Sequence, residues 1–273
     1  MQHCSNRFNF IGLCRCLLMA YAVVAGFSLF IKPAQAAEPP TIAAAADLQF
    51  ALEEVARAFE SETKESVKVV TGSSGNFATQ IRQGAPFELF FSADEQFVFD
   101  LARDAFARDQ GALYAIGRIA IIVPRNSPLK ADGTLKDLRA ALADGRVTKF
   151  AIASPEHAPY GRRAEEALRH AGLWGGIKDR LVLGENVSQA AQFALSGSTQ
   201  GGIIAYSLAL SPKISALGTY ELIPAEWHQP LRQRMVLLKG ATPVAERFFQ
   251  FAQQQTARTI FKKYGFVLPG ESP

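Results

Sequence analysis

Between residues 41 and 266, short apolar runs alternate with longer segments in which apolar residues return every three or four positions. The first run, 41–46, is made of small and β-branched residues and suits a strand buried on both faces. Leu48, Ala51, Leu52, Val55, Ala56 and Phe59 then trace one face of a helix over 48–60, and Asp47 stands where its N-cap belongs. A second strand is predicted over 67–70. The turn Thr71, Gly72, Ser73, Ser74, Gly75, Asn76 follows it, and then a helix on Phe77, Ile81 and Ala85 that Gly84 and Pro86 bring to an end. Ser74 is the expected N-cap of that helix. Residues 87–91 read as a third strand, and Asp94 opens a helix carrying Phe97, Leu101 and Ala105. Strand and helix in strict alternation predict a parallel α/β sheet, whose ligands bind at the carboxyl ends of the strands. Asp47 and Ser74 follow two successive strands, so they are expected to be neighbours in space.

From 112 to 123 the chain is almost continuously apolar, interrupted by Gly117 and Arg118, a length able to cross from one lobe to another. Pro124 and Pro128 break it. A second α/β series follows: a helix over 135–143, a strand over 150–153, a loop over 154–161, a helix over 162–171 stopped by Gly172, and a strand over 180–183. The segment 185–188 leads into a helix that runs to Leu195, and 201–206 reads as one more buried strand. The tail departs from this rhythm, with a strand over 232–238 and helices over 244–252 and 256–264 that return to the first lobe. The expected fold is α/β with two lobes and a ligand cleft between them. Lobe I comprises 37–116 with 228–273, and lobe II comprises 117–227.

The first 36 residues differ in kind. Arg7 and Arg15 precede the uncharged stretch 16–31, and Ala34, Gln35 and Ala36 offer the small residues of a cleavage site, so 1–36 reads as a secretory signal peptide cut before Ala37. Its apolar run is short for a membrane span of about 20 residues. All three cysteines, Cys4, Cys14 and Cys16, leave with it, which removes disulfide and thiol chemistry from consideration. The leader also carries three of the 29 basic residues and no acidic one, leaving 26 against 25. That near balance, with no basic run, leaves a nucleic-acid partner without support. The remaining chain is long enough for two lobes of about 100 to 120 residues each.

The candidate chemistry centres on 71–86. Two hydroxyls between two glycines, at a helix start with unpaired N–H groups and a positive dipole end, suit an anion. A rival reading joins His157, Ser74 and Asp47 into a secreted serine hydrolase, but 72–76 lacks the G-x-S-x-G spacing of a nucleophile elbow. His157 reads as structural. His170 reads as a helix C-terminal residue before Gly172, and no pair of histidines has metal-ligand spacing.

Five blocks in order, 43–48, 72–81, 84–94, 155–161 and 261–266, resemble the periplasmic molybdate-binding proteins of ABC transporters. The resemblance covers the whole chain beyond the leader. It implies a type II periplasmic binding fold and no enzymatic activity. The implied ligand is a dehydrated tetrahedral oxyanion, molybdate or tungstate, held by hydroxyls, backbone N–H groups and a tyrosine without Lys or Arg. It further implies a monomer that delivers to membrane permease subunits, with no resident cofactor and no metal beyond the oxyanion's own molybdenum. Carried over by position, Ser74 matches the ligand serine, with Ser73 and Gly75 in the same turn, and Tyr160 and Val187 contribute backbone N–H groups. The family's tyrosine falls on Ala205, with Tyr206 next along. Because neighbouring strand residues point to opposite faces, either Tyr206 through a shifted backbone or Tyr160 supplies the phenol. Asp47 stands where the family has serine, and a carboxylate donates no hydrogen bond. Three readings stay open: Asp47 caps its own helix, it accepts from a protonated anion such as phosphate or phosphonate, or it coordinates the metal centre as in archaeal relatives.

Overall fold

The computed structural model describes residues 1–2 and 38–271; the predicted leader, 1–36, lies outside them but for its first two residues. Among the described residues ten strands form two five-stranded sheets. The first takes β1 (Thr41–Ala45), β2 (Lys68–Gly72), β3 (Leu89–Ser92), β4 (Ala112–Gly117) and β10 (Leu231–Leu237) in the order β2-β1-β3-β10-β4. The second takes β5 (Ile119–Pro124), β6 (Phe150–Ala153), β7 (Leu181–Gly184), β8 (Gly202–Ala205) and β9 (Gly218–Leu222) in the order β7-β6-β8-β5-β9.

The parallel expectation holds for only part of each sheet. β1 runs parallel to β2 and β3, and β6 to β7 and β8, whereas β10 and β5 enter antiparallel to both of their neighbours. These exceptions follow from the crossings. A strand that arrives from the other lobe without an intervening α-helix is free of the crossover geometry that forces parallel pairing. Only Arg118 separates β4 from β5, and 223–230 join β9 to β10, so both crossings are short.

Eight longer helices cover the sheets: α1 (Gln49–Thr63), α2 (Ser74–Arg82), α3 (Glu95–Arg103), α4 (Lys136–Ala143), α5 (Pro159–His170), α6 (Val187–Leu195), α7 (Pro243–Phe251) and α8 (Gln255–Lys263). Alternation along β1 divides the first lobe's core into two halves. Ile42 and Ala44 face Leu48, Phe59, Phe248 and Phe261, while Ala43 faces Phe77, Ile81, Val98 and Leu101. The C-terminal helices therefore pack on the first sheet, and Phe59 meets Phe248 and Phe251 edge-on at 5.2 and 5.5 Å. In the second lobe Ile119, Ile121, Phe150, Ile152, Leu168 and Ile203 form the centre. Among the described residues no helix is long and apolar enough to cross a membrane.

Candidate functional site

A pocket opens where the carboxyl ends of β1 and β2 face the starts of α5 and α6 in the other lobe. Its lining includes Asp47, Ser73, Ser74, Tyr160, Asn186 and Val187. Its cavity volume is about 10 Å³, far below the roughly 300–1,000 Å³ of pockets for organic ligands. No Lys, Arg or His lines it.

Three helices start here, and each leaves one amide free. In α2, Ser73 is the N-cap: its Oγ accepts from Asn76 N–H, while Gly75 N–H donates to His157 O at 3.0 Å. Ser74 is thus the first helical residue, one place later than the cap expected of it, and its N–H has no intrahelical acceptor. In α5, Pro159 has no N–H to satisfy, and Gly161 and Arg162 both donate to Ala158 O, which leaves Tyr160 N–H. In α6, the Asn186 side chain accepts from Ser188 N–H and Gln189 N–H at 3.0 Å each, which leaves Val187 N–H. Three positive dipole ends with one unpaired donor apiece converge on a small, cation-free pocket. Ser74 Oγ accepts from Ala93 N–H at 3.0 Å, so its own hydroxyl proton is available to the pocket.

Asp47 does not cap a helix. The chain enters α1 through the 3-10 turn Ala46–Leu48, no side-chain cap bond forms, and the carboxyl turns inward instead. Its Oδ2 accepts from Tyr160 OH at 3.0 Å and from Gln233 Nε2 at 2.7 Å. Gln233 Nε2 also donates to Tyr160 oxygen at 3.0 Å, and Tyr114 OH donates to Gln233 Oε1 at 2.6 Å. Asp47 Oδ1 is buried without a hydrogen-bond partner. Burial pushes the Asp47 pKa up to about 7, against the lowering effect of the Gln233 and Tyr160 hydrogen bonds and of its own main-chain N–H. Burial, and after it the Asp47 charge, likewise raises the Tyr160 phenol.

The predicted residues divide accordingly. Asp47, Ser73, Ser74, Tyr160 and Val187 come together, whereas Ala205 and Tyr206 do not line the pocket. β8 ends at Ala205, and Tyr206 begins a helical turn held by its N–H on Arg118 O. The Tyr206 ring then lies by Tyr220 and against Gly265, where a Cβ would come within 2.5 Å of it. The Tyr160 phenol is committed to Asp47 and passes so close to Gly117 that a Cβ there would lie 2.3 Å from it. The hydrolase arrangement is absent too: the His157 ring pairs with Glu185 O, Ser74 Oγ accepts from Ala93 N–H, and the Asp47 carboxyl is bonded to Tyr160 and Gln233.

The sequence reading missed Gln233 and Tyr114. Gln233 sits between Arg232 and Arg234 and reads as surface, yet it shares a strand face with Leu231 and Met235, both buried. That alternation was the available signal.

The model of the bacterial extracellular solute-binding proteins matches residues 40–267. The chain belongs to this family. Its members bind solutes and catalyse no reaction, which removes the hydrolase reading. The chain is 33% identical to the molybdate-binding protein ModA of Rhodobacter capsulatus over 91% of its own length and 94% of that protein. With the ModA of Azotobacter vinelandii it shares 30% identity over 92% of its length and 98% of that protein. The solved structure of the Azotobacter vinelandii periplasmic molybdate-binding protein superposes with a TM-score of 0.77 at 30% identity, covering 84% of this chain and 99% of that one. The two-lobed solute-binding fold is thus common to both.

Proposed function

We propose that this solute-binding protein captures a tetrahedral oxyanion, molybdate or tungstate, in the periplasm and passes it to the membrane subunits of an ABC importer. It acts as a monomer with no resident cofactor, and the leader over 1–36 directs its export. The observation that carries this reading is the set of three unpaired amides, of Ser74, Tyr160 and Val187, around a pocket lined by no cation. Fixed dipoles replace the water of a naked anion without the reorganisation that mobile charged side chains would need. The phosphate or phosphonate alternative is not favoured, because the two relatives aligned over more than nine-tenths of their length are named for molybdate.

Thermal unfolding of the purified protein with molybdate, tungstate, sulfate and phosphate tests this. An anion at a hundred times its dissociation constant adds about 2.7 kcal/mol, so molybdate and tungstate are expected to raise the melting temperature by several degrees. Stabilisation by phosphate with none by molybdate would overturn the assignment.

A further inference from the structure

The two oxygens of Asp47 are not equivalent. Oδ2 is filled by Tyr160 OH and Gln233 Nε2, and the orientation of the Gln233 amide is set from behind by Tyr114 OH. Every polar atom along this chain of contacts has a partner except Oδ1, which is buried on a residue that lines the pocket. The groups facing Asp47 are Tyr160 from α5, Gln233 from β10 with Tyr114 of β4 behind it, and Ser207, whose hydroxyl donates to the Asp47 main-chain oxygen at 2.8 Å. None of them is cationic. An ionised Asp47 would therefore hold an unpaired negative oxygen beside a doubly negative ligand in a dry site, the least favourable arrangement of charge available. A proton relieves it. With Oδ2 already accepting two hydrogen bonds, the proton belongs on Oδ1, where it converts the open acceptor into a donor.

We propose that Asp47 enters the anion complex as the neutral acid, its Oδ1–H donating to an oxygen of the bound oxyanion, so that capture takes up one proton wherever the free carboxyl is ionised. This rests on the oxyanion-binding reading above. Burial already brings the Asp47 pKa up to about 7, and a bound dianion raises that further. Above about pH 7 the free protein therefore loses the proton that the complex retains, and affinity falls about tenfold per pH unit.

The test is calorimetry of molybdate binding at pH 8 in buffers of different ionisation enthalpy, with dissociation constants measured from pH 7 to 9, where molybdate itself carries no proton. Close to one proton is expected to be taken up per anion, with the tenfold weakening per unit. Asp47→Asn, which presents an amide donor in place of the acid, is expected to take up none and to bind with a flat pH profile. Molybdate binding by the unaltered protein with no proton uptake at pH 8, the outcome expected if the already ionised carboxylate coordinated the anion directly, overturns the proposal alone. Absence of any molybdate binding by the unaltered protein brings down the oxyanion reading and this proposal with it.

Discussion

Ser74 joins two roles in one hydroxyl. Its oxygen receives Ala93 N–H and its proton remains for the pocket, so Ser74→Ala removes a donor to the anion and strands a buried amide. Hydrogen bonds to charged groups contribute about 1.5–3 kcal/mol. Calorimetry should therefore show molybdate affinity weakened roughly ten- to a hundredfold, and an unchanged dissociation constant would contradict the role given to this hydroxyl. Asp47 acts on stability as well. Its folded pKa, about 7, lies above the ordinary 3.8, so as pH rises between those values the unfolded chain gives up a proton that the folded chain keeps, and stability falls. The loss is complete above about pH 7 and amounts to roughly 4 kcal/mol at most. Ligand-free Asp47→Asn escapes it and is expected to gain on the unaltered protein in denaturant unfolding as pH goes from 4 to 8; a constant difference across that range would count against the buried carboxyl. Residues such as Ser74, Tyr160 and Val187 were legible because each follows a strand and begins a helix, a place where unpaired amides are unavoidable. The partners of Asp47 were not. They lie 113 and 186 positions away in sequence, and no local pattern encodes which buried side chains meet.

At the scale of elements, alternating periodicity located the strands and longer helices, because burial on both faces of a central strand and on one face of a helix leaves different spacings. Their ends were less legible. α5 starts at Pro159, which reads as a loop residue but fits the first helical position, where no N–H is needed. β8 stops at Ala205 because the next residue turns helical, and that single step removed Tyr206 from the site. The antiparallel entry of β5 and β10 depends on how the lobes connect, which periodicity does not register. One contact between elements carries a prediction. The start of α2 meets the loop before α5 through Ser73 Oγ and Gly75 N–H, both donating to His157 O, and a Cβ on Gly75 would lie 2.6 Å from that oxygen. Alanine is the better helix former, so Gly75→Ala should leave the ligand-free melting temperature nearly unchanged. It should keep the lobes apart and weaken molybdate binding at least tenfold. Small-angle scattering of the molybdate-saturated variant should show a larger radius of gyration than the unaltered protein. Equal radii would mean that the two lobes close without this contact.

For the molecule as a whole, the distribution of charge sets how the anion is attracted. Over residues 37–273 the basic and acidic residues nearly balance, 26 against 25, so no strong net field draws an anion in from a distance. Charge does span the cleft, but at its margin: Arg163 pairs with Asp94 at 3.5 Å, and the neutral Asn76 Nδ2 donates to the Glu185 carboxylate at 3.1 Å. Inside, the pocket offers backbone and side-chain dipoles only. Mobile ions screen interactions between exposed charges, with a Debye length that falls from about 20 Å near 20 mM salt to about 4 Å near 500 mM, and they act far less on dipoles in contact with an enclosed ligand. The molybdate dissociation constant at pH 7 is therefore expected to change by no more than about threefold between those two concentrations of sodium chloride. A site built from exposed lysine or arginine would lose affinity steeply over the same range. A tenfold or greater weakening here would mean that cations at the cleft margin, Arg163 first among them, supply binding energy that the geometry assigns to the helix starts.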